Sequence, residues 1–326
     1  MDDVFHEEGS DEGDDEGVAG GLAGARGAGA GATVLDTVVW KLGIDRFHRD
    51  FRQIALLGLV QDRFPKSKLA YMAMKLMMEN SAPTERKVNQ ETTASISATE
   101  LFDKLCKVWP TDPLTRNKAV PDWRRFVSWM SALCSDLTAM VSKISGADPQ
   151  NPRYVVKMAD MIRYMQKTLI RCTVRDKYGA ETGRIMEILL QKKYLEQQQV
   201  GEMAMIPAGD ARTRLYCLLK DSRMVSVQEV PRRADRNPNT TYYLWTIKHD
   251  QVSQVVMDSL YKAMLNMRLR RKFVYSNDKE LFIHDAAARV SNDAERERLE
   301  KVKRSLDRLD TALLRLDENL MIFDTF

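Results

Sequence analysis

The sequence predicts a mainly α protein: three-helix bundles, each closed by a small antiparallel β-hairpin, set in tandem and followed by an antiparallel coiled-coil hairpin. Three observations predict it. Residues 180–248 read as three helices and then two strands. The pattern strand, Asp, long helix occurs three times, in "VVWKLGID", "RYVVKMAD" and "YLWTIKHD". Residues 299–323 carry apolar side chains at alternating steps of three and four, a sustained heptad.

Residues 1–33 hold nine acids in the first sixteen positions and then a Gly/Ala run. With few bulky apolar residues to bury, this tail is expected to be disordered. Val38, Val39, Trp40 and Leu42 read as a strand, so 34–44 is expected to be the remnant last strand of a truncated unit. Asp45 is placed as a helix cap, with Phe47, Phe51, Ile54 and Leu57 as the buried stripe. A strongly apolar helix follows over about 66–80. Ser97 and Glu100 stand at capping-box spacing before Leu101, Leu105 and Val108. Asp122 opens the next helix, with Trp123, Phe126, Met130 and Leu133 inward. A Gly-Ala-Asp-Pro turn at 146–149 leads to the strand "RYVVKM", and a long helix covers about 157–176.

The next block is tighter. A helix over 180–193 buries Ile185, Ile188 and Leu189; a short one over 197–205 buries Val200, Met203 and Ala204. Pro207 suits the first position of a third helix, whose inner residues are Ala211, Leu215, Leu218 and Leu219 and whose outer face carries Arg212, Arg214 and Lys220. Strands at 224–230 and 242–248 flank a Pro/Asn-rich loop. Three helices and a hairpin make a winged helix. The expected units are 45–156, a winged helix; 157–248, a winged helix with a leading linker helix; and 249–326, a helical hairpin. In the hairpin Val252, Val256, Leu260, Ala263 and Met267 face the heptad Leu299, Val302, Leu306, Leu309, Leu313, Leu316, Leu320, Phe323. A homotypic coiled coil is the alternative.

The net charge is +4, but with the nine tail acids set aside fifty basic residues face thirty-seven acidic, a net of +13. Such a body favours nucleic acid or an acidic partner. Cys106, Cys134, Cys172 and Cys217 stand 28, 38 and 45 residues apart, which fits no zinc spacing and suggests reduced, buried thiols. No apolar run approaches the roughly 18 residues that span a membrane, so a soluble intracellular chain is expected. None of His6, His48, His249 and His284 lies in a nucleophile or metal pattern, and no phosphate-cradling Gly-Lys motif occurs. No cofactor, metal or catalytic residue is therefore expected. The eighteen methionines are read chiefly as core filler.

Arg212 and Arg214 on the third helix, and Arg232, Arg233 and Arg236 in the wing, are the candidates for DNA phosphate contact. Arg124, Arg125 and "RLRRK" at 268–272 are further basic groups. "YYLWTIK" is apolar on both faces, so Tyr242 and Leu244 are candidate partner contacts, together with Leu299, Leu306, Leu309 and Leu313 of the heptad.

Residues 184–231, with "LEQQQVGEMAMIP", "LYCLL" and "VSVQEVP", and "YYLW" after them, resemble the C-terminal winged helix of the largest subunit of the RNA polymerase III-specific heterotrimer. "VVWKLGIDRFHRDFR" and the heptad tail resemble other parts of the same family. The resemblance implies four extended winged helices and a coiled coil, distantly similar to the TFIIE large subunit. Against that family, this chain is expected to lack the first two winged helices and to have a short hairpin loop. It also implies a non-catalytic nuclear subunit active in promoter opening and initiation. Its partners would be the polymerase clamp, the two other heterotrimer subunits, TFIIIB and promoter DNA held without sequence preference. A free homodimeric winged-helix transcription factor is the alternative reading; an enzyme is a distant third.

Overall fold

The computed structural model describes residues 42–81, 90–113, 115, 119–144, 151–220, 223–232, 241–279, 282 and 293–326. Helix α1 (Ile44–Arg63) leads into α2 (Lys68–Ser81). Nine of the fourteen α2 residues are buried, so it is apolar on nearly all sides and forms the centre of the first bundle. Strand β1 (Ile96–Ser97), α3 (Ala98–Val108), α4 (Trp123–Ser135), β2 (Val141–Lys143) and β3 (Arg153–Val156) complete that bundle. Its sheet runs β1-β3-β2, antiparallel throughout, with Ile96 opposite Tyr154 and Val141 opposite Val156.

Linker helix α5 (Met158–Tyr178) opens the second round: α6 (Ala180–Gln191), β4 (Leu195–Glu196), α7 (Gln197–Ala204), α8 (Ala208–Lys220), β5 (Ser226–Pro231) and β6 (Thr241–Thr246). The strand order β4-β6-β5 repeats the first sheet, the last strand again central. Leu195 pairs with Trp245, and β5 pairs with β6 from Ser226–Thr246 to Pro231–Thr241. Both bundles are winged helices. Only Gly179 separates α5 from α6. Its φ of +90° and ψ of 169° lie in a region open essentially to glycine. A turn further on, a side chain at Gly183 would stand 3.0 Å from Arg175 Cβ, so glycine also permits the close crossing of the two helices.

Helices α9 (His249–Asn277) and α10 (Asp293–Asp324) pack as an antiparallel pair. Arg271 bonds Asp310 and Arg298 bonds Asp278, so numbers rise along one helix as they fall along the other. Val302, Leu306 and Leu320 are buried; Leu299, Leu309, Leu313, Leu316 and Phe323 are half-buried along the same seam. The heptad is thus satisfied within one chain, not between copies. The end of α10 returns to the winged helices. Ile322 lies in the first core, Phe323 packs on the second, and Gln166 Nε2 of α5 donates to Ile322 O at 2.8 Å.

Several sequence expectations are corrected. Residues 34–41, most of the expected remnant strand, lie outside the described residues; Leu42 and Gly43 are in no strand and Ile44 opens α1. Gly43, not Asp45, occupies the cap position, and Asp45 sits in the first turn, where its charge meets the positive helix end. The stripe Phe47, Phe51, Ile54 faces solvent. Arg52, Leu56 and Val60, on the opposite side, are buried, because the core lies against that side of the helix. Ser97 does cap α3, accepting from Glu100 N at 3.3 Å, while the Glu100 carboxylate pairs with Lys104 at 2.8 Å. Helix α8 starts at Ala208, one residue after Pro207, whose carbonyl accepts from Ala211 N at 2.9 Å. Met203 is exposed, beside the turn that Met205 makes in the left-handed region. The four cysteines are free, and none is fully buried; Cys172 is exposed. The turn at 146–149 lies outside the described residues.

Candidate nucleic-acid and partner surfaces

The third helix of the second winged helix, α8, buries Ala211, Leu215 and Leu218 against α6 and α7. That fixes its outward ridge as Arg212, Tyr216 and Lys220, at i, i+4 and i+8. Tyr216 is 60% exposed and was not singled out from the sequence; the signal was its place on the same ridge as the two cations. Arg214 is used differently. Its Nη2 lies 2.6 Å from Glu181 Oε2 and its Nη1 donates to Tyr178 O at 3.4 Å, so it staples α8 to the α5–α6 junction.

In the wing, the Arg232 guanidinium sits 4.2 Å over the Tyr242 ring. This cation–π contact holds the Arg232 charge where β5 passes into the wing loop. Arg233 and Arg236 lie outside the described residues. Tyr242 and Tyr243 are both exposed, Leu244 is half-buried and Trp245 is buried. The second face of β6 is therefore covered at its inner end and open toward the wing tip. Arg124 and Arg125 are exposed on α4. Of "RLRRK", Arg271 is bound to Asp310 at 2.6 Å, while Arg268, Arg270 and Lys272 are exposed.

Two apolar ridges face solvent. On α1 they are Ile44, Phe47, Phe51 and Ile54. On the side of α9 turned from α10 they are Tyr261, Leu265, Leu269 and Phe273, spaced by four, each at least half exposed. Exposed apolar ridges of this kind mark surfaces that meet other macromolecules. Among the described residues no group of three or more His, Cys, Asp or Glu is placed to hold a metal, and no helix is long and apolar enough to cross a membrane.

Two joints between helices are polar. Arg63 of α1 reaches Asp136 at the end of α4, 2.7 Å away. Burial pushes the Asp136 carboxyl up, but hydrogen bonds from Thr138 and Arg63 outweigh it and hold its pKa below the usual carboxylate range. His249 Nε2 lies 2.9 Å from Gln166 Oε1, and burial holds the His249 pKa below the ordinary histidine value.

Two winged helices of one topology, each led by a linker helix and closed off by an intramolecular coiled coil, define a tandem winged-helix protein. Residues 170–247 match the family model described as POLR3C, C-terminal winged-helix domain. Over most of its length the chain is similar to the DNA-directed RNA polymerase III subunit RPC3. It is 27% identical to the Bos taurus protein over 315 residues and 26% identical to the Homo sapiens protein over 314, each match covering 89% of this chain. The Dictyostelium discoideum subunit is 23% identical over 299 residues. The chain spans about half the length of these relatives: 56%, 55% and 43% respectively. The resemblance read from residues 184–231 thus holds, and it extends over most of the chain.

Proposed function

We propose that this chain is a non-catalytic subunit of DNA-directed RNA polymerase III that acts in transcription initiation and promoter opening in the nucleus. The similarity to RPC3 across 89% of the chain carries the reading. The surfaces support a scaffold that touches DNA without reading it. Its apolar ridges on α1 and α9 suit the clamp and the other heterotrimer subunits, or TFIIIB. Arg212 and Arg232 suit phosphates, with Arg233 and Arg236 beside them in sequence. The units 45–156, 157–248 and 249–326 would then be two winged helices and the hairpin that braces them. A free homodimeric regulator is not favoured, since the heptad seam is occupied by α9 of the same chain.

The test is affinity purification of the tagged chain from nuclear extract. Recovery of polymerase III subunits is expected. A homodimer that binds one DNA sequence tightly and brings down no polymerase overturns the reading. Within the complex, Leu244→Ala should weaken assembly. Arg232→Ala with Arg233→Ala and Arg236→Ala should leave assembly intact and lower DNA affinity equally for all sequences.

A further inference from the structure

Where α5, the end of α6 and the start of α9 meet, they enclose a cleft of about 300 Å3. Four cations line it: Arg163 and Lys167 from the middle of α5, Lys192 and Lys193 just past α6. Among the described residues none of the four makes an ion pair. Arg163 and Lys167 stand four residues apart, a spacing at which like charges destabilise a helix. Opposite charges at that spacing pair elsewhere, as in Lys104–Glu100, Lys301–Glu297 and Arg304–Glu300, whereas α5 continues a like-charged row through Arg171 and Arg175. The negative end of α6 accounts for a lysine at its C-terminus; it does not account for two cations in the middle of α5. In the comparable hollow between α9 and α10, Arg271 is neutralised by Asp310 at 2.6 Å. Here the carboxylate on the rim, Asp250, is in no ion pair among the described residues.

His249 adds a donor in waiting. Gln166 Nε2 donates to Ile322 O, which leaves its Oε1 facing the imidazole. His249 must therefore donate from Nε2, and Nδ1 is the bare nitrogen. That Nδ1 is shielded from water and has no hydrogen-bond partner. Burial disfavours its protonation most; Asp250 favours it, and Lys167 and then Arg163 oppose it. An anion in the cleft would reverse that balance and turn Nδ1 into a donor.

We propose that this cleft is a phosphate-binding site, distinct from the ridge of α8 and from the wing. Two sources offer the same chemistry: the diester backbone of a nucleic acid, and a small phosphorylated molecule such as pyrophosphate. The site does not depend on the polymerase reading, because it is tested on the isolated chain.

Lys167→Glu with Lys193→Glu is compared with Arg308→Glu with Arg315→Glu on the coiled coil, a matched change of charge. The probes are a fluorescent random-sequence duplex titrated at several salt concentrations, and pyrophosphate in a thermal-shift assay. A log–log salt slope reduced by about 2 in the cleft variant alone assigns a diester backbone. Loss of stabilisation by pyrophosphate, with duplex binding unchanged, assigns a small phosphorylated ligand. Equal behaviour of both double variants toward both probes overturns the site. A second arm needs no cleft variant to fold. In the wild-type chain the His249 NMR signal, assigned through His249→Gln, should titrate at higher pH with the bound probe present, and an unmoved midpoint overturns the site.

Discussion

The first winged helix buries eight methionines, Met72, Met74, Met77, Met78, Met130, Met140, Met158 and Met161, around Phe126 and Tyr154. The second buries two, Met186 and Met224, among Ile, Leu and Val. The strand order is the same, so topology does not explain the difference. The neighbours do. The first core also takes in a run of aromatic rings, Phe102 against Trp123 and Phe126 at 5.1 and 5.4 Å, and the distant Ile322. Rings and an incoming chain end leave irregular gaps that unbranched thioethers fill. The wings differ in the opposite sense: strands of three and four residues in the first, six and six in the second. The first core admits Ile322 from the chain end, the second admits Val252 and Val256 of α9, and the second carries the longer wing.

The largest expected effect is on the cores. Phe126→Ala should cost about 3–5 kcal/mol and Leu215→Ala about 2–5 kcal/mol. Denaturant unfolding followed by Trp109, Trp123 and Trp129 fluorescence in the first unit should register Phe126→Ala first. If Leu215→Ala shifts those signals equally, the two cores unfold as one. Next, Leu309→Asp should cost about 1.5–3 kcal/mol by loss of seam burial. Helical circular dichroism that matches wild type after this change would mean the heptad does not hold the hairpin. Gly179→Ala forces a side chain into a backbone region of order 1–3 kcal/mol of strain. An unchanged melting temperature would contradict the geometry at that joint.

The two joints should separate on acidification. His249 has a depressed pKa in the folded chain, so the unfolded chain binds the proton more readily. Its contribution is present above the ordinary histidine value and fades as pH falls below about 6.5. Asp136 is also depressed, so the Arg63 joint persists until pH falls below the usual carboxylate range. A scan of melting temperature from pH 8 to 3 should show two steps, with His249→Gln removing the upper one. The smallest effect is at the wing: Arg232→Ala should reduce the salt slope of duplex binding by about 0.9 and leave stability unchanged.

Much of this was legible in the sequence. The heptad, Ser97 before α3, Asp122 before α4 and the inner face of α8 are local patterns, and local patterns survive folding. The failures share a cause. Helix α1 carries apolar residues on two opposite sides, and periodicity alone cannot say which meets the core; the choice fell on Leu56 and Val60 because α2 and α5 lie there. Strand β2 has three residues, too few to show alternation, and is recognised only by its partner β3. Arg214 reads like Arg212 until Glu181, thirty-three residues earlier, is seen beside it. The cleft at His249 joins residues from three helices, and no window of sequence contains it.

Ile322 has a consequence for how the chain is made. It belongs to a core whose other members end at Ile162. A ribosome adds roughly 5–20 residues per second, so the first bundle emerges about 10–30 s before the residue that completes it. For that interval the nascent chain holds a nearly finished winged helix with an open apolar slot. The slot closes only after the second bundle and the hairpin have been synthesised and α10 has folded back. During that time it is a place where a chaperone can hold the chain, and where a truncated product stays marked as incomplete.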